Sequence, residues 1–154
     1  MTITYEWRRR VDAWLEQLKK MIYRPLGSVE WQAFFTREQL SCKEAAEREF
    51  RPVSQGDKWG NKWEYGWFRS EVSVPKEAAG QRVVLQPEVG FESAVYVDGR
   101  AAGARDKRHS FVTLAREAEA GSSYRVMVEA YAGHGPRVTS VGPMPPGEES
   151  VPEP

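Results

Sequence analysis

The first apolar pattern in the chain has the spacing of an amphipathic α-helix. Its apolar positions recur at intervals of three and four residues: Trp7, Val11, Trp14, Leu15, Leu18, Met21 and Ile22. Thr2 or Thr4 is placed to cap the start of the helix, and Pro25 with Gly27 ends it. Charged side chains fill the opposite face, which we interpret as solvated. We therefore predict a helix within residues 1–27 that packs on the rest of the domain.

A second, shorter helix is predicted after Thr36. Thr36 and Gln39 have the spacing of a capping box, in which the first and fourth residues satisfy each other's backbone N–H groups. Two alanines and a glutamate-rich stretch follow and favour a helix over about residues 37–49. Between the two helices, residues 29–35 suggest a short strand.

From Trp59 onward the hydrophobic period changes to two, which is typical of β-strands. Around residues 67–75, Phe68 and Val72 lie on one face and Trp67 and Arg69 on the other. Asp98-Gly99 favours a two-residue type I′ turn, so residues 93–103 predict a hairpin. Further short strands are predicted over residues 81–86, 111–114 and 124–130.

Short strands separated by glycine and proline turns predict a mostly β fold, an antiparallel β-sandwich over residues 28–133. The N-terminal amphipathic helix and the second short helix complete it. After Gly133 the composition changes, because six of the ten prolines lie between Pro136 and Pro154. We interpret residues 134–154 as a linker or tail.

Charge and composition narrow the classes of function. The 154 residues suit one domain, and the 22 basic and 22 acidic side chains balance, which argues against a nucleic-acid partner. No apolar run approaches the length of a membrane helix, so no membrane partner is expected. The single cysteine, Cys42, cannot form an intramolecular disulfide and favours a cytoplasmic location.

No motif in the chain predicts an active site. His109, His134 and Cys42 have no close metal-ligand spacing, and neither a nucleophile elbow nor a phosphate-binding loop is present. We predict no catalytic, cofactor-binding or metal-binding residue.

The densest chemical feature is aromatic, since three of the six tryptophans lie between residues 59 and 67. Trp59, Trp63 and Trp67 could stack on the apolar face of a sugar, or they could form a core and its rim against a neighbouring domain. Arg69 could be a cation–π partner beside Trp67 or could pair with an acidic side chain. These four residues are the candidate sugar-contact or domain-contact residues.

The order of these segments resembles the N-terminal region of glycoside hydrolase family 38 α-mannosidases of the bacterial and cytosolic type. The resemblance spans roughly residues 1–140 and rests on five segments: Gly56-Asp57-Lys58-Trp59-Gly60, Trp67-Phe68-Arg69, Val72-Ser73-Val74-Pro75, Val95-Tyr96-Val97-Asp98-Gly99 and Val128-Glu129-Ala130-Tyr131. His109 before a short strand and the N-terminal helix also fit. The jelly-roll domains of family 2 glycosidases carry related strand and hairpin motifs and remain an alternative.

The resemblance implies a jelly-roll sandwich, similar to galactose-binding domains, that precedes a catalytic domain. That catalytic domain would hold a divalent metal, usually zinc, and an aspartate nucleophile. Its His-x-Asp motif is absent here, so no catalytic or metal residue transfers to this chain. The implied function is that of a non-catalytic domain supporting α-mannoside hydrolysis. The implied partner is the catalytic domain of the same polypeptide, with a homo-oligomer left open and carbohydrate contact weak or absent. An autonomous carbohydrate-binding module and a protein-interaction domain are the alternatives.

Overall fold

The structure is a computed structural model that describes residues 4–90, 92–106 and 108–133. The predicted tail over residues 134–154, including His134, lies outside the described residues.

The predicted N-terminal helix is present as α1, Tyr5–Ile22. Thr4 is the N-cap residue, although its side chain makes no capping hydrogen bond. The expected packing of α1 on the sandwich is not seen, because every residue of the helix is exposed. The physical reason lies in the sheets, whose central strands are already covered on both faces by other elements, as described below.

In the part of the chain that the structure describes, eight strands form two antiparallel sheets. The larger sheet has six strands in the order β2-β1-β3-β8-β5-β6, and the smaller pairs β4 with β7. The strands are β1 (Trp31–Thr36), β2 (Arg51–Val53), β3 (Tyr65–Ser73), β4 (Val83–Leu85), β5 (Ser93–Val97), β6 (Arg100–Arg105), β7 (Val112–Ala115) and β8 (Ser123–Tyr131). The predicted antiparallel sandwich is therefore confirmed.

The sandwich core lies between the inner face of the larger sheet and the smaller sheet. Val95, Val126 and Val128 are almost completely buried on that inner face, and they belong to the same cluster as Leu85 of β4 and Val112 of β7. Phe68 of β3 joins this cluster, as its period-two position predicts.

The outer face of the larger sheet is covered by the second helix, α2, Cys42–Ala46. Ala45 of α2 packs with Phe50 and Trp67 in a separate buried cluster. The helix is shorter than predicted, and its capping box is formed by Ser41 and Glu44. The predicted cap, Thr36, instead ends β1 and pairs with Tyr65 of β3, because cross-strand pairing outweighs the local capping signal.

The β5–β6 hairpin forms as predicted. Asp98 and Gly99 have φ angles of 50° and 78°, so both lie in the left-handed region that a type I′ turn requires. The sequence did not predict β2, which pairs with β1 at one edge of the sheet. Its central residue is Pro52, which cannot donate a hydrogen bond and is tolerated only at such an edge.

Candidate functional site

The candidate aromatic residues lie on opposite faces of the larger sheet. Trp67 points outward and is fully buried, with its ring stacked on Tyr96 at a centroid distance of 6.1 Å. Trp59 packs against the inner-face cluster. A buried ring cannot stack on a sugar, so Trp67 contributes to the core rather than to a binding surface.

Trp59 is held in a defined position by a hydrogen bond and by contacts with other aromatic rings. Its indole Nε1 donates to the backbone oxygen of Val89 at 2.9 Å. Its ring stacks on Phe35 at 5.6 Å and meets Phe68 edge-on at 5.4 Å. The side chain is half-buried, and we infer that these contacts fix the loop before β3.

Trp63 is the one candidate tryptophan with an exposed side chain, at 43%. Its backbone N–H donates to Gly133 at 2.6 Å, and the Glu64 carboxylate accepts from the N–H groups of Gly60 and Asn61 at 2.9 Å. The Trp63 bond attaches the loop to the chain just after β8, and the Glu64 bonds hold the loop in its own conformation. The three tryptophans therefore do not form one platform.

Arg69 makes a hydrogen bond and a cation–π contact, and the second is one of the two interactions considered from the sequence. Its Nε donates to the side-chain oxygen of Gln32 at 2.9 Å, across the β1–β3 pair. The guanidinium carbon lies 4.3 Å from the centre of the Phe50 ring, so Phe50 is its cation–π partner. Arg69 thus helps to hold Phe50 over the outer sheet face.

A polar group that sequence reasoning missed lies beside Trp67 on the outer face. The Tyr96 hydroxyl donates to Glu129 at 3.2 Å, and Cys42 approaches the Met127 sulfur at 3.9 Å. Burial raises the pKa of Glu129, of Tyr96 and of the Cys42 thiol, and the Glu129 charge adds to the increase for the last two. The raised pKa keeps Cys42 protonated near neutral pH, and a thiol is a weak nucleophile. The available signal was an acidic residue that follows the apolar run Val126-Met127-Val128 in a central strand.

A shallow depression of about 380 Å³ lies near Glu129, lined also by Glu92, Asp106 and Tyr131. Tyr131 is 41% exposed and stacks on Tyr65 at 4.5 Å. Asp106 is engaged locally, because its carboxylate accepts from the His109 backbone at 2.6 Å and contacts the ring nitrogen at 3.1 Å. These bonds lower the pKa of Asp106 to about 2.

No group of three or more His, Cys, Asp or Glu side chains in the described ranges could hold a metal ion. Within the same ranges, no helix has the length and apolar character needed to cross a membrane.

The exposed apolar surface is concentrated on α1. Eight of the fourteen exposed large apolar side chains among the described residues belong to this helix. Trp7, Trp14 and Met21 are 60%, 72% and 80% exposed. Soluble domains rarely leave such a contiguous face uncovered unless it meets a partner. This helix face is therefore the candidate interaction surface of the chain.

Comparison with known proteins identifies the family. The family described as "Alpha-mannosidase, jelly roll domain" matches residues 25–150. A segment of 67 residues, 44% of this chain, is 42% identical to Alpha-mannosidase 2C1 of Homo sapiens and covers 6% of that protein. A segment of 82 residues, 53% of this chain, is 39% identical to Alpha-mannosidase 2C1 of Mus musculus and covers 8% of it. The matched segments thus span less than a tenth of these relatives. The resemblance to α-mannosidases is confirmed, and the chain belongs to the α-mannosidase jelly-roll domain family.

Proposed function

We propose that this chain is the non-catalytic N-terminal domain of a family 38 α-mannosidase and supports the catalytic domain that hydrolyses terminal α-mannosides. The observation that carries the proposal is the family match over residues 25–150, together with relatives in which the matched segment is 6% or 8% of the length. A domain this small within an enzyme that long contributes by packing against the remainder.

The packing of the candidate residues supports a structural role. Trp59 and Trp67 pack within the sandwich, and the Arg69 guanidinium contacts the Phe50 ring.

The divalent metal implied by the resemblance, zinc in most members, belongs in this proposal to the catalytic domain. The described residues of this chain do not fit such a metal, because they bring together no ligand set. The proposal further places the enzyme in the cytoplasm, without a nucleic-acid or membrane partner and with self-association open.

The test compares the complete polypeptide that carries this chain with the 154-residue chain alone. Each is assayed on an aryl α-mannoside with and without added zinc. We expect metal-dependent turnover by the complete polypeptide and none by the short chain. Turnover by the pure short chain, or an inactive complete polypeptide that is folded and metal-loaded, would contradict the proposal.

A carbohydrate-binding module is the second candidate, and the exposed Trp63 and Tyr131 favour it. Titration with mannose and mannobiose, followed by tryptophan fluorescence, measures sugar binding directly. A saturable change at millimolar sugar that Trp63→Ala removes without unfolding would support this candidate. A flat titration would leave the supporting role as the better account.

A further inference from the structure

We infer that the apolar face of α1 docks into an apolar groove, bordered by carboxylates, on the remainder of the mannosidase polypeptide. This inference rests on the proposed function and names the surface through which the domain acts. The face consists of Trp7, Val11, Trp14, Leu15, Leu18, Met21 and Ile22, which are 44% to 80% exposed.

The α1 helix has no cover within the described residues. No residue of α1 is buried, and among residues 4–133 that the structure describes the helix contributes to none of the core clusters. An 18-residue helix without tertiary packing is only marginally stable in water. The helix therefore gains its stability from a partner that covers the apolar face.

Cationic side chains border the apolar face of α1. At 100° per residue, Arg8 lies along one side of the face and Arg10 along the other. Lys19, on the same side as Arg8, is already paired with Glu16 at 2.7 Å. The Arg10 guanidinium lies 5.7 Å from the Trp7 ring centre, so a cation sits at the rim of the face. The three acidic residues of α1, Glu6, Asp12 and Glu16, lie further round the helix. A groove that accepts this helix therefore carries carboxylates along its edges.

The length of α1 limits what a second copy could cover. The helix is about 27 Å long, and an interface confined to two such helices is small beside the about 800 Å² per partner of a stable complex. A second copy would also present the same cationic border, Arg8 and Arg10, to the interface. A groove in a larger body covers more of each side chain and supplies opposite charges.

The α1 helix lies outside the segment that matches the family. The match begins at residue 25, after α1 ends at Ile22. Because the jelly roll packs its core without the helix, α1 is free to make a contact outside the sandwich. The relatives contain more than nine-tenths of their length outside the matched segments, and that remainder supplies the large partner.

The experiment measures amide hydrogen exchange of residues 5–22 in two proteins, the complete polypeptide and the 154-residue chain. We expect exchange at least tenfold slower in the complete polypeptide. Leu18→Glu, at the centre of the apolar face, should abolish this protection. Ala13→Glu is the matched control, since it places the same carboxylate on the opposite side of α1 and should leave the protection unchanged.

Charge reversal tests the acidic border separately. Arg8→Glu should reduce the protection in the complete polypeptide, whereas Arg9→Glu, on the far side of the helix, should not. If these two variants change the protection equally, the proposed acidic border of the groove is wrong. Equal exchange of residues 5–22 in the complete polypeptide and the short chain would overturn docking itself.

The same samples separate this inference from the proposed function. An active α-mannosidase whose α1 exchanges freely would retain the proposed function and reject the docking. An inactive complete polypeptide would reject the proposed function, whatever the exchange shows. Two measurements on the short chain test the other possible partners of this face. Sedimentation detects a second copy, and flotation with phosphatidylcholine–phosphatidylserine vesicles detects lipid binding. A dimer or vesicle binding that Leu18→Glu abolishes would assign the face to a second copy or to lipid and overturn the inference.

Discussion

Gly66 of β3 lies under the Trp59 ring, and its replacement by alanine tests the packing of the inner sheet face. A Cβ at this position would meet Trp59 Cζ3 at 2.7 Å, Trp59 Cη2 at 2.9 Å and Phe68 Cε2 at 2.9 Å. Carbon atoms pack favourably at about 3.5–4.0 Å, so the Trp59 ring must move by about 0.8 Å or more. We expect Gly66→Ala to destabilise the domain for this reason.

The magnitude follows from the contacts that the movement disturbs. Overpacking of a well-packed core typically costs about 1–3 kcal/mol. A shift of the ring also stretches the 2.9 Å hydrogen bond from Trp59 to Val89, and such a bond is worth about 0.5–1.5 kcal/mol. Alanine has less conformational freedom than glycine in the unfolded chain, and this difference stabilises the folded state by about 0.4–1 kcal/mol. The net loss of unfolding free energy should be about 1–3 kcal/mol.

Urea denaturation followed by far-ultraviolet circular dichroism measures this loss without depending on tryptophan emission. The matched background is Trp59→Leu, which removes the two ring atoms nearest to the new Cβ. Gly66→Ala should cost less in that background, with a residual loss from the Phe68 contact. A Gly66→Ala variant within about 0.3 kcal/mol of the parent, or equal losses in both backgrounds, would refute the packing argument.

Three further predictions concern the hairpin, the outer face and its half-buried carboxylate. Gly99→Val should cost about 1 kcal/mol or more, because valine is strained at a φ of 78°, and an unchanged melting temperature would contradict the turn. Trp67→Ala should cost about 3–5 kcal/mol, whereas Trp63→Ala, at an exposed position, should cost much less; similar losses would contradict the burial of Trp67. The raised pKa of Glu129 means that the folded state binds its proton more tightly than the unfolded state, so stability falls as pH rises from the unfolded pKa through the folded one. Glu129→Gln should therefore raise the melting temperature relative to the parent at pH 7 but not near pH 3.5, and a difference independent of pH would argue against this assignment.

Local patterns were sufficient where the structure depends on local geometry. The period of three to four residues located α1 close to its observed bounds, and Asp98-Gly99 located the hairpin turn. The alternation along β3 assigned Phe68 and Trp67 to opposite faces. Each of these features depends on residues that lie close together in the sequence.

The features that the sequence left open depend on distant segments. Alternation assigns Trp67 to the outer face, but its burial depends on Ala45 and Phe50, which arrive from α2 and the chain after it. Arg69 acquires Gln32 as a partner only through the β1–β3 register. The apolar pattern of α1 likewise predicts a face that must be covered, but it does not say by what.

The short strand β2 has a consequence for colloidal behaviour. It forms one edge of the six-stranded sheet, and an unprotected edge is a template on which strands of other molecules can add. β2 is only three residues long, its centre is a proline, and Arg51 beside it is exposed and charged. A strand added to β2 would lack one hydrogen-bond donor, because Pro52 has no N–H group, and it would have to bury the charge of Arg51. These features of β2 therefore disfavour fibril-like aggregation at this edge, which matters most when newly synthesised chains are close together.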